Sequence, residues 1–221
     1  MKTFQQLLEG IYDPNIFKAV FLAGGPGSGK SYVVSKVVSG MGLKVINSDE
    51  PFERYLVKAG LSLKMPDEEQ AERDIERKRA KKVTAARKGH AIDGRLGIII
   101  DGTGKDYEKI EKQMRGLQQL GYDSHMIFVN TSLDVALARN EKRPRKLPEK
   151  LVVSSWNNVQ KNIGKFSQLF QKGFIIVDNN DPDENVITDV FKRVRSLANK
   201  KVQNGIAKTW IAKELEMKKR V

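Results

Sequence analysis

Residues 17–31, Phe17-Lys-Ala-Val-Phe-Leu-Ala-Gly24-Gly-Pro-Gly-Ser-Gly29-Lys30-Ser31, constrain this chain more than any other stretch. They match G-x-x-x-x-G-K-[ST] without a mismatch, and the flanking residues supply the context that the motif requires. The apolar run from Ala19 to Ala23 predicts a buried parallel strand, and Ser31-Tyr-Val-Val-Ser-Lys-Val-Val predicts the helix after it. Glycines let the backbone curl until successive N–H groups point at phosphate oxygens. The helix N-terminus adds partial positive charge at the same place. The expected cradle comprises Gly24, Gly25, Pro26, Gly27, Ser28, Gly29, Lys30, Ser31 and Tyr32. Lys30 is positioned to reach the β- and γ-phosphates, and the Ser31 hydroxyl to ligate Mg²⁺. A glycine-rich turn with an incidental lysine is the bland alternative, and the strand before and helix after argue against it. The stretch reads as a nucleoside-triphosphate site, with ATP or another NTP and Mg²⁺ as the expected ligands.

The remaining segments are arranged around that site. Residues 1–16 read as a short amphipathic helical lead-in, with Phe4, Leu7, Leu8 and Ile11 at helical spacing and Pro14 closing it. Lys44-Val-Ile-Asn47 predicts a second strand running into Ser48-Asp49-Glu50-Pro51. Carboxyl ends of parallel strands open into the ligand crevice, so Asp49 is a candidate general base for an acceptor hydroxyl. An equally open reading makes it a helix N-cap, with Pro51 in the first turn. Residues 67–89 predict a charged helix, and from Arg73 to Lys88 it holds eight basic residues against two acidic ones. Its thin apolar stripe (Ala71, Ile75, Val83, Ala86) favours a solvated surface face over a nucleic-acid-binding one. His90 is placed in the loop beyond, without a catalytic role.

Leu96-Gly-Ile-Ile-Ile100-Asp101-Gly-Thr103 reads as a buried strand with a carboxylate at its tip. After a P-loop, such an aspartate commonly supports the Mg²⁺ shell, so Asp101 is a metal and substrate candidate. Thr103 would contact substrate or cap the helix predicted over residues 106–120. A strand over residues 125–129 leads to a helix from Ser132 to Glu141 and the basic run Arg139-Asn-Glu-Lys-Arg143-Pro-Arg145-Lys146. Arg139 and Arg143 are spaced to share a helix face, and Arg145 follows a helix-breaking proline. Arginines on a lid at residues 139–150 would stabilise a loose phosphoryl-transfer transition state; a basic surface turn is the alternative. Residues 152–170 predict a helix in which Trp156 and Phe166 serve the core. Phe174-Ile-Ile-Val-Asp178-Asn179 is the last strand, with Asn179 expected to face the nucleotide base.

The expected fold is α/β: a P-loop NTPase fold with a parallel five-stranded sheet, helices on both faces and an Arg-rich lid. Residues 17–191 form the kinase domain, and residues 192–221 a basic helical extension of it, docked through Ile206, Trp210 and Leu215. That extension holds ten Lys or Arg and two Glu, a large share of the chain's net charge of +13. Such charge favours polyanionic partners such as DNA or RNA. Absence of cysteine removes a disulfide framework, a disulfide-linked partner and thiolate-bound metal. Neither a signal-peptide core nor an apolar run of membrane-spanning length is present, so the expectation is a cytoplasmic chain with no membrane partner.

The order of motifs resembles the zeta-toxin family and its polynucleotide-kinase-like relatives. The landmarks are Gly24-x-x-x-x-Gly29-Lys30-Ser31, Asn47-Ser-Asp49 with Arg54 downstream, Ile100-Asp101-Gly-Thr103, Leu120-Gly-Tyr122 before a strand, and Ala138-Arg139 through Arg143 to Pro148. They span residues 17–180. The resemblance implies that Asp49 deprotonates an acceptor hydroxyl, that Arg54 orients the acceptor, and that Arg139, Arg143 or Arg145 steadies the transferred phosphoryl group. Three function classes follow. The first is a kinase acting on a nucleic-acid hydroxyl, at a 5′ end or on a hydroxylated base in DNA. The second is a kinase acting on a nucleotide sugar or nucleoside, and the third an ATPase or ATP-gated binding module without an acceptor.

Overall fold

Six consecutive buried residues, Lys18–Ala23, form β1 at the centre of the sheet in the computed structural model, which describes residues 10–38, 40–143, 146–181 and 184–219. The other strands are β2 (Lys44–Ile46), β3 (Ile98–Asp101), β4 (Asp123–Asn130) and β5 (Phe174–Asp178). The sheet has five strands in the order β2-β3-β1-β4-β5, and every pairing is parallel. Parallel strands covered on both faces read as continuous apolar runs, which is why residues 19–23 and 98–100 lack polar alternation. Val20, Leu22, Ile99, Ile127, Val129 and Val177 point to one face, against Val33 of α1 (Lys30–Val33) and Val190 and Val194 of α7 (Glu184–Asn199). Ala19, Phe21, Ile98, Met126 and Phe128 point to the other. There they meet α4 (Tyr107–Gln119) through Met114 and Leu117 and α6 (Glu149–Phe170) through Val159, Phe166 and Phe170. The expected α/β architecture, with helices on both faces, is present.

Several local expectations shift. Gly10–Tyr12, including Ile11, is a 3-10 turn, and Phe4, Leu7 and Leu8 lie outside the described residues. After Val33 the helix following the P-loop continues as π-helix over Val34–Val38. The charged segment forms α3 (Gln70–Asp93), long enough to include His90, which is therefore helical. Its packing partner is α2 (Asp49–Lys58), through buried Phe52, Leu56 and Ala80. The thin apolar stripe covers this small neighbouring helix, while at the far end of α3 Ala91 and Ile92 join the main core. α7 runs unbroken across residues 191 and 192.

The C-terminal helix α8 (Gly205–Lys219) docks at the amino-terminal ends of the strands. Ala207 is buried, and the Trp210 ring meets Phe17 edge-on at 5.4 Å. Ile206 and Leu215 are 55% and 42% exposed, so docking runs through Ala207, Trp210 and Ile211 instead. Asp123, the first residue of β4, ties the approach to α8 in place: it accepts from the Gln203 and Asn204 N–H groups at 2.9 and 3.0 Å. It also pairs with buried Lys18 at 2.8 Å.

Next to Asp123, His125 has both ring nitrogens buried without a hydrogen-bond partner. Burial, reinforced by Lys18 and Lys200 and opposed by Asp123, pushes its pKa down to about 4. The folded chain thus holds a neutral imidazole that the unfolded chain protonates near 6.5. Stability from this residue is complete above pH 6.5 and is lost as pH falls toward 4. Over that window the unfolding free energy should fall by up to about 1.4 kcal/mol per pH unit from this one proton. Denaturant titrations of the wild type and His125→Phe at several pH values check this. A slope no shallower in the variant would remove His125 as its source.

Candidate active site

The carboxyl ends of the five parallel strands lie along one edge of the sheet, and residues following β1, β2, β3 and β5 build the site there. β1 runs directly into the glycine loop. Gly27 and Gly29 have φ of 77° and 83°, and a Cβ on either would collide with the Ala136 carbonyl or the Asn179 amide. Only glycine permits both the left-handed backbone and that approach. Asn179, after β5, is buried and donates from Nδ2 to the Ser28 carbonyl at 2.6 Å. It braces the loop from behind, whereas the sequence reading turned it toward the base. The Gly24 N–H donates to the Thr103 carbonyl at 3.0 Å, tying the loop to the end of β3.

Gly25, Pro26, Gly27, Gly29, Lys30, Ser31, Arg139 and Arg143 line a pocket of about 260 Å³. Three of those side chains are cationic and none is acidic, as an anion requires. Lys30 donates from Nζ to the Gly24 carbonyl at 2.7 Å. Burial pulls the Lys30 pKa below the usual lysine range, Asp101 and Asp49 oppose this, and Arg143 adds to it. Ser28 Oγ, Asn179 Oδ1 and Arg139 Nη1 are buried without a hydrogen-bond partner around the same loop. Unsatisfied buried polar atoms are costly, and of these three residues Arg139 is the one that lines the pocket. Tyr32 is exposed on α1 and does not line the pocket.

Asp101, at the tip of β3, accepts from Asn47 Nδ2 at 2.7 Å. Its carboxyl pKa is raised by burial and by Asp49, against the pull of Lys30. Asp49 is the first residue of α2, and Ser48 holds the N-cap position, so the N-cap reading of Asp49 is corrected. Pro51 does fall in the first turn. Arg77 of α3 pairs with Asp49 at 2.9 Å, its guanidinium stacked 3.7 Å above the Phe52 ring. Arg54 is exposed beside Tyr55, and the cation paired with Asp49 is Arg77. Sequence spacing did not reveal it, because Arg77 lies 28 residues from Asp49 on a helix read as solvated. The available signal was register: Arg77, Lys81, Thr84 and Lys88 share one helix face, and Thr84 contacts the Asn47 carbonyl at 3.3 Å.

On the far side, Arg139 of α5 (Leu133–Glu141) donates to the Asn180 carbonyl at 3.3 Å. Arg143 lies in the bend beyond α5 instead of on its face, yet both reach the same pocket. Buried Asn140 exchanges two hydrogen bonds with Leu147 and so anchors the end of this segment. Arg145 lies outside the described residues. Trp156 is half-buried and donates to the Thr131 carbonyl at 2.8 Å, so it braces the site's edge, while Phe166 is core. Thr103 does not cap α4, because Asp106 accepts the Lys109 N–H at 3.0 Å. It lines a second cavity, of about 200 Å³, with Asp101. Among the described residues no group of three or more His, Cys, Asp or Glu forms a metal site. A hard cation shared between substrate phosphates, one hydroxyl and one carboxylate fits this donor set, since Mg²⁺ keeps most of its water.

A parallel sheet of this order, a complete P-loop and a carboxylate at the neighbouring strand tip define a P-loop kinase, a phosphotransferase with a hydroxyl group as acceptor. The zeta toxin family profile matches residues 13–189, and the chain belongs to that family. No curated protein sequence matches it significantly. Solved structures similar in fold include the AvrRxo1-ORF1:AvrRxo1-ORF2 complex, with TM-score 0.57 and 11% identity over 85% of this chain and 71% of that one. A gluconokinase from Sinorhizobium meliloti 1021 gives 0.52 and 15% over 83% and 95%. The Pnkp1/Rnl/Hen1 RNA repair complex gives 0.52 and 20% over 69% and 47%. Among the described residues no helix is long and apolar enough to cross a membrane.

Proposed function

We propose that this kinase transfers the γ-phosphate of ATP to a hydroxyl on a nucleic acid, at a 5′ end or on a hydroxylated base. The observation that carries the acceptor class is Arg77: the basic face of α3 reaches Asp49 itself. A polyanionic acceptor entering beside Asp49 meets cations at once. The basic α8, docked at the opposite end of the strands, does not enter into this argument.

In this reading the acceptor O–H lies against the Asp49 carboxylate, oriented by Arg77. As the oxygen forms its bond to the γ-phosphorus, Asp49 takes the proton, and the bond to the bridging oxygen breaks with its electron pair leaving on ADP. Lys30 and the N-terminus of α1 hold the β- and γ-oxygens. Arg143 and Arg139 face the charge that spreads over the equatorial oxygens. Arg143 thereby serves the role expected of a lid. Ser31 and Asp101 would hold Mg²⁺, which neutralises phosphate charge when bound.

A γ-labelled ATP transfer screen over 5′-hydroxyl DNA and RNA, DNA carrying 5-hydroxymethylpyrimidine, nucleosides and nucleotide sugars tests the proposal. Label is expected in a polynucleotide. Label confined to a nucleotide sugar or nucleoside would establish the small-acceptor reading. ATP turnover with no labelled acceptor would favour the ATPase.

A further inference from the structure

Asn47 lies one step beyond the last paired position of β2, where Ile46 sits beside Ile100 of β3. That register sets it next to Asp101, one step beyond Ile100, across a strand spacing of about 4.8 Å. Its short amide makes two bonds in opposite senses. Nδ2 donates to Asp101 Oδ2 at 2.7 Å, and Oδ1 accepts the Asp49 N–H at 2.6 Å. A backbone N–H only donates and a carboxylate only accepts, so one orientation of the amide satisfies both. The main chain is engaged as well, since the Thr84 hydroxyl of α3 contacts the Asn47 carbonyl at 3.3 Å. The bond to Asp49 is an Asx turn, an ordinary way to enter a helix. The bond to Asp101 is different: it joins residues 54 apart in sequence and does nothing for α2. Asp49 raises the Asp101 pKa by repulsion, and both carboxylates act on Lys30. Two like charges around one cation tend to splay apart or to take up a proton. An amide that grips both residues opposes the first, and its donation to Asp101 opposes the second by favouring the ionised form.

We propose that Asn47 is a positioning residue for phosphoryl transfer: through one amide it holds the Asp49 base and the Asp101 carboxylate at a set spacing beside Lys30. The role rests on the reading of Asp49 given above and adds to it the group that fixes its distance from Asp101. Because Asn47 grips the main chain of Asp49, it sets where α2 begins and leaves the Asp49 side chain to Arg77 and the acceptor.

The test uses the full chain with Asn47→Ser and Asn47→Asp. Serine still offers an oxygen to the Asp49 N–H but is too short to reach Asp101, whereas aspartate keeps the shape and loses the donor. Turnover is read as label transfer from γ-labelled ATP to a 5′-hydroxyl oligodeoxynucleotide and as phosphate released to water, because Asp49 would serve either nucleophile. Both variants should lower kcat on the order of a hundredfold, the effect of a displacement of about 1 Å, with KM for ATP and the melting temperature close to wild type. A lowered melting temperature with kcat intact would make Asn47 a helix-start residue and overturn the proposal. A loss confined to Asn47→Asp would overturn it too, as an effect of added charge. The second readout needs no turnover. In the nucleotide-free chain carrying isotope-labelled asparagine, the side-chain amide signal missing from Asn47→Ser should exchange with water on the order of tenfold faster in Asp101→Ala. An unchanged rate would overturn the hold on Asp101. Asn47-dependent phosphate release from a chain that labels no oligodeoxynucleotide would keep the positioning role and overturn the nucleic-acid reading. Normal turnover in Asp49→Asn beside a loss in Asn47→Ser would overturn the link to the base. A wild type that neither labels the oligodeoxynucleotide nor releases phosphate overturns both readings.

Discussion

Lys30→Ala is expected to lower kcat/KM for phosphoryl transfer by about three orders of magnitude or more, equivalent to about 4 kcal/mol of transition-state stabilisation. The side chain lies in the phosphate pocket beside Arg143, and its pKa is lowered chiefly by burial. Its charge is thus partly withdrawn from water and, on the proposed reading, faces the negative charge that develops during transfer. Its partners in the ligand-free chain are the Gly24 and Gly25 carbonyls of its own loop, so binding of a nucleotide exchanges loop contacts for phosphate contacts. The same environment predicts what happens to the fold. A half-buried cation whose desolvation outweighs the attraction of Asp101 and which Arg143 opposes contributes little stability, so the variant should melt within a few degrees of the wild type, or above it. Labelled-ATP turnover and a melting curve on the same preparation check both halves. Unchanged turnover would remove the P-loop from the chemistry, and a collapsed melting temperature would make the loss structural.

Where physics is local, the sequence was a good guide to this site. The P-loop and the tip of β3 are legible because strand, turn and helix signals lie within a dozen residues of one another. The helix beginning at Ser132 and the basic run after it are legible for the same reason. What escaped depends on contacts between distant segments. Arg77 reaches Asp49 only because Phe52, Leu56 and Ala80 hold α3 against α2, and no local pattern encodes that pairing. Asn179 lies at the expected strand tip, yet the close packing of Gly29 turns its amide onto the Ser28 carbonyl. Arg143 was placed on a helix face by its spacing from Arg139, but α5 ends at Glu141. Pro144, one residue further on, disfavours helical geometry at Arg143. His90 was placed in a loop beyond a helix bounded at residues 67–89, whereas Ala91 past it is buried and carries α3 onward.

Asp49→Asn should lower kcat by about two to four orders of magnitude, the range for a general base, with ATP affinity near wild type. Two competing explanations for such a loss can be assessed in advance. The first is loss of a helix cap, which the geometry removes, because Ser48 holds the N-cap position and Asn47 Oδ1 receives the Asp49 N–H at 2.6 Å. The second is loss of the Arg77 ion pair that ties α3 to α2. Asp49's side chain is 52% exposed in that pair, and pairs this exposed contribute about 0–1 kcal/mol, too little to unfold the chain or detach a helix held by Phe52 and Leu56. Asparagine also keeps an oxygen that can accept from Arg77. What the amide cannot do is take a proton from an acceptor hydroxyl at neutral pH. Arg77→Gln separates the remaining roles. It keeps the carboxylate and loses its orienting partner, so acceptor KM should rise while kcat falls less than in Asp49→Asn. Equal kcat losses in the two variants would make Asp49 a holder of Arg77, and near-normal turnover in Asp49→Asn would end its assignment as the base.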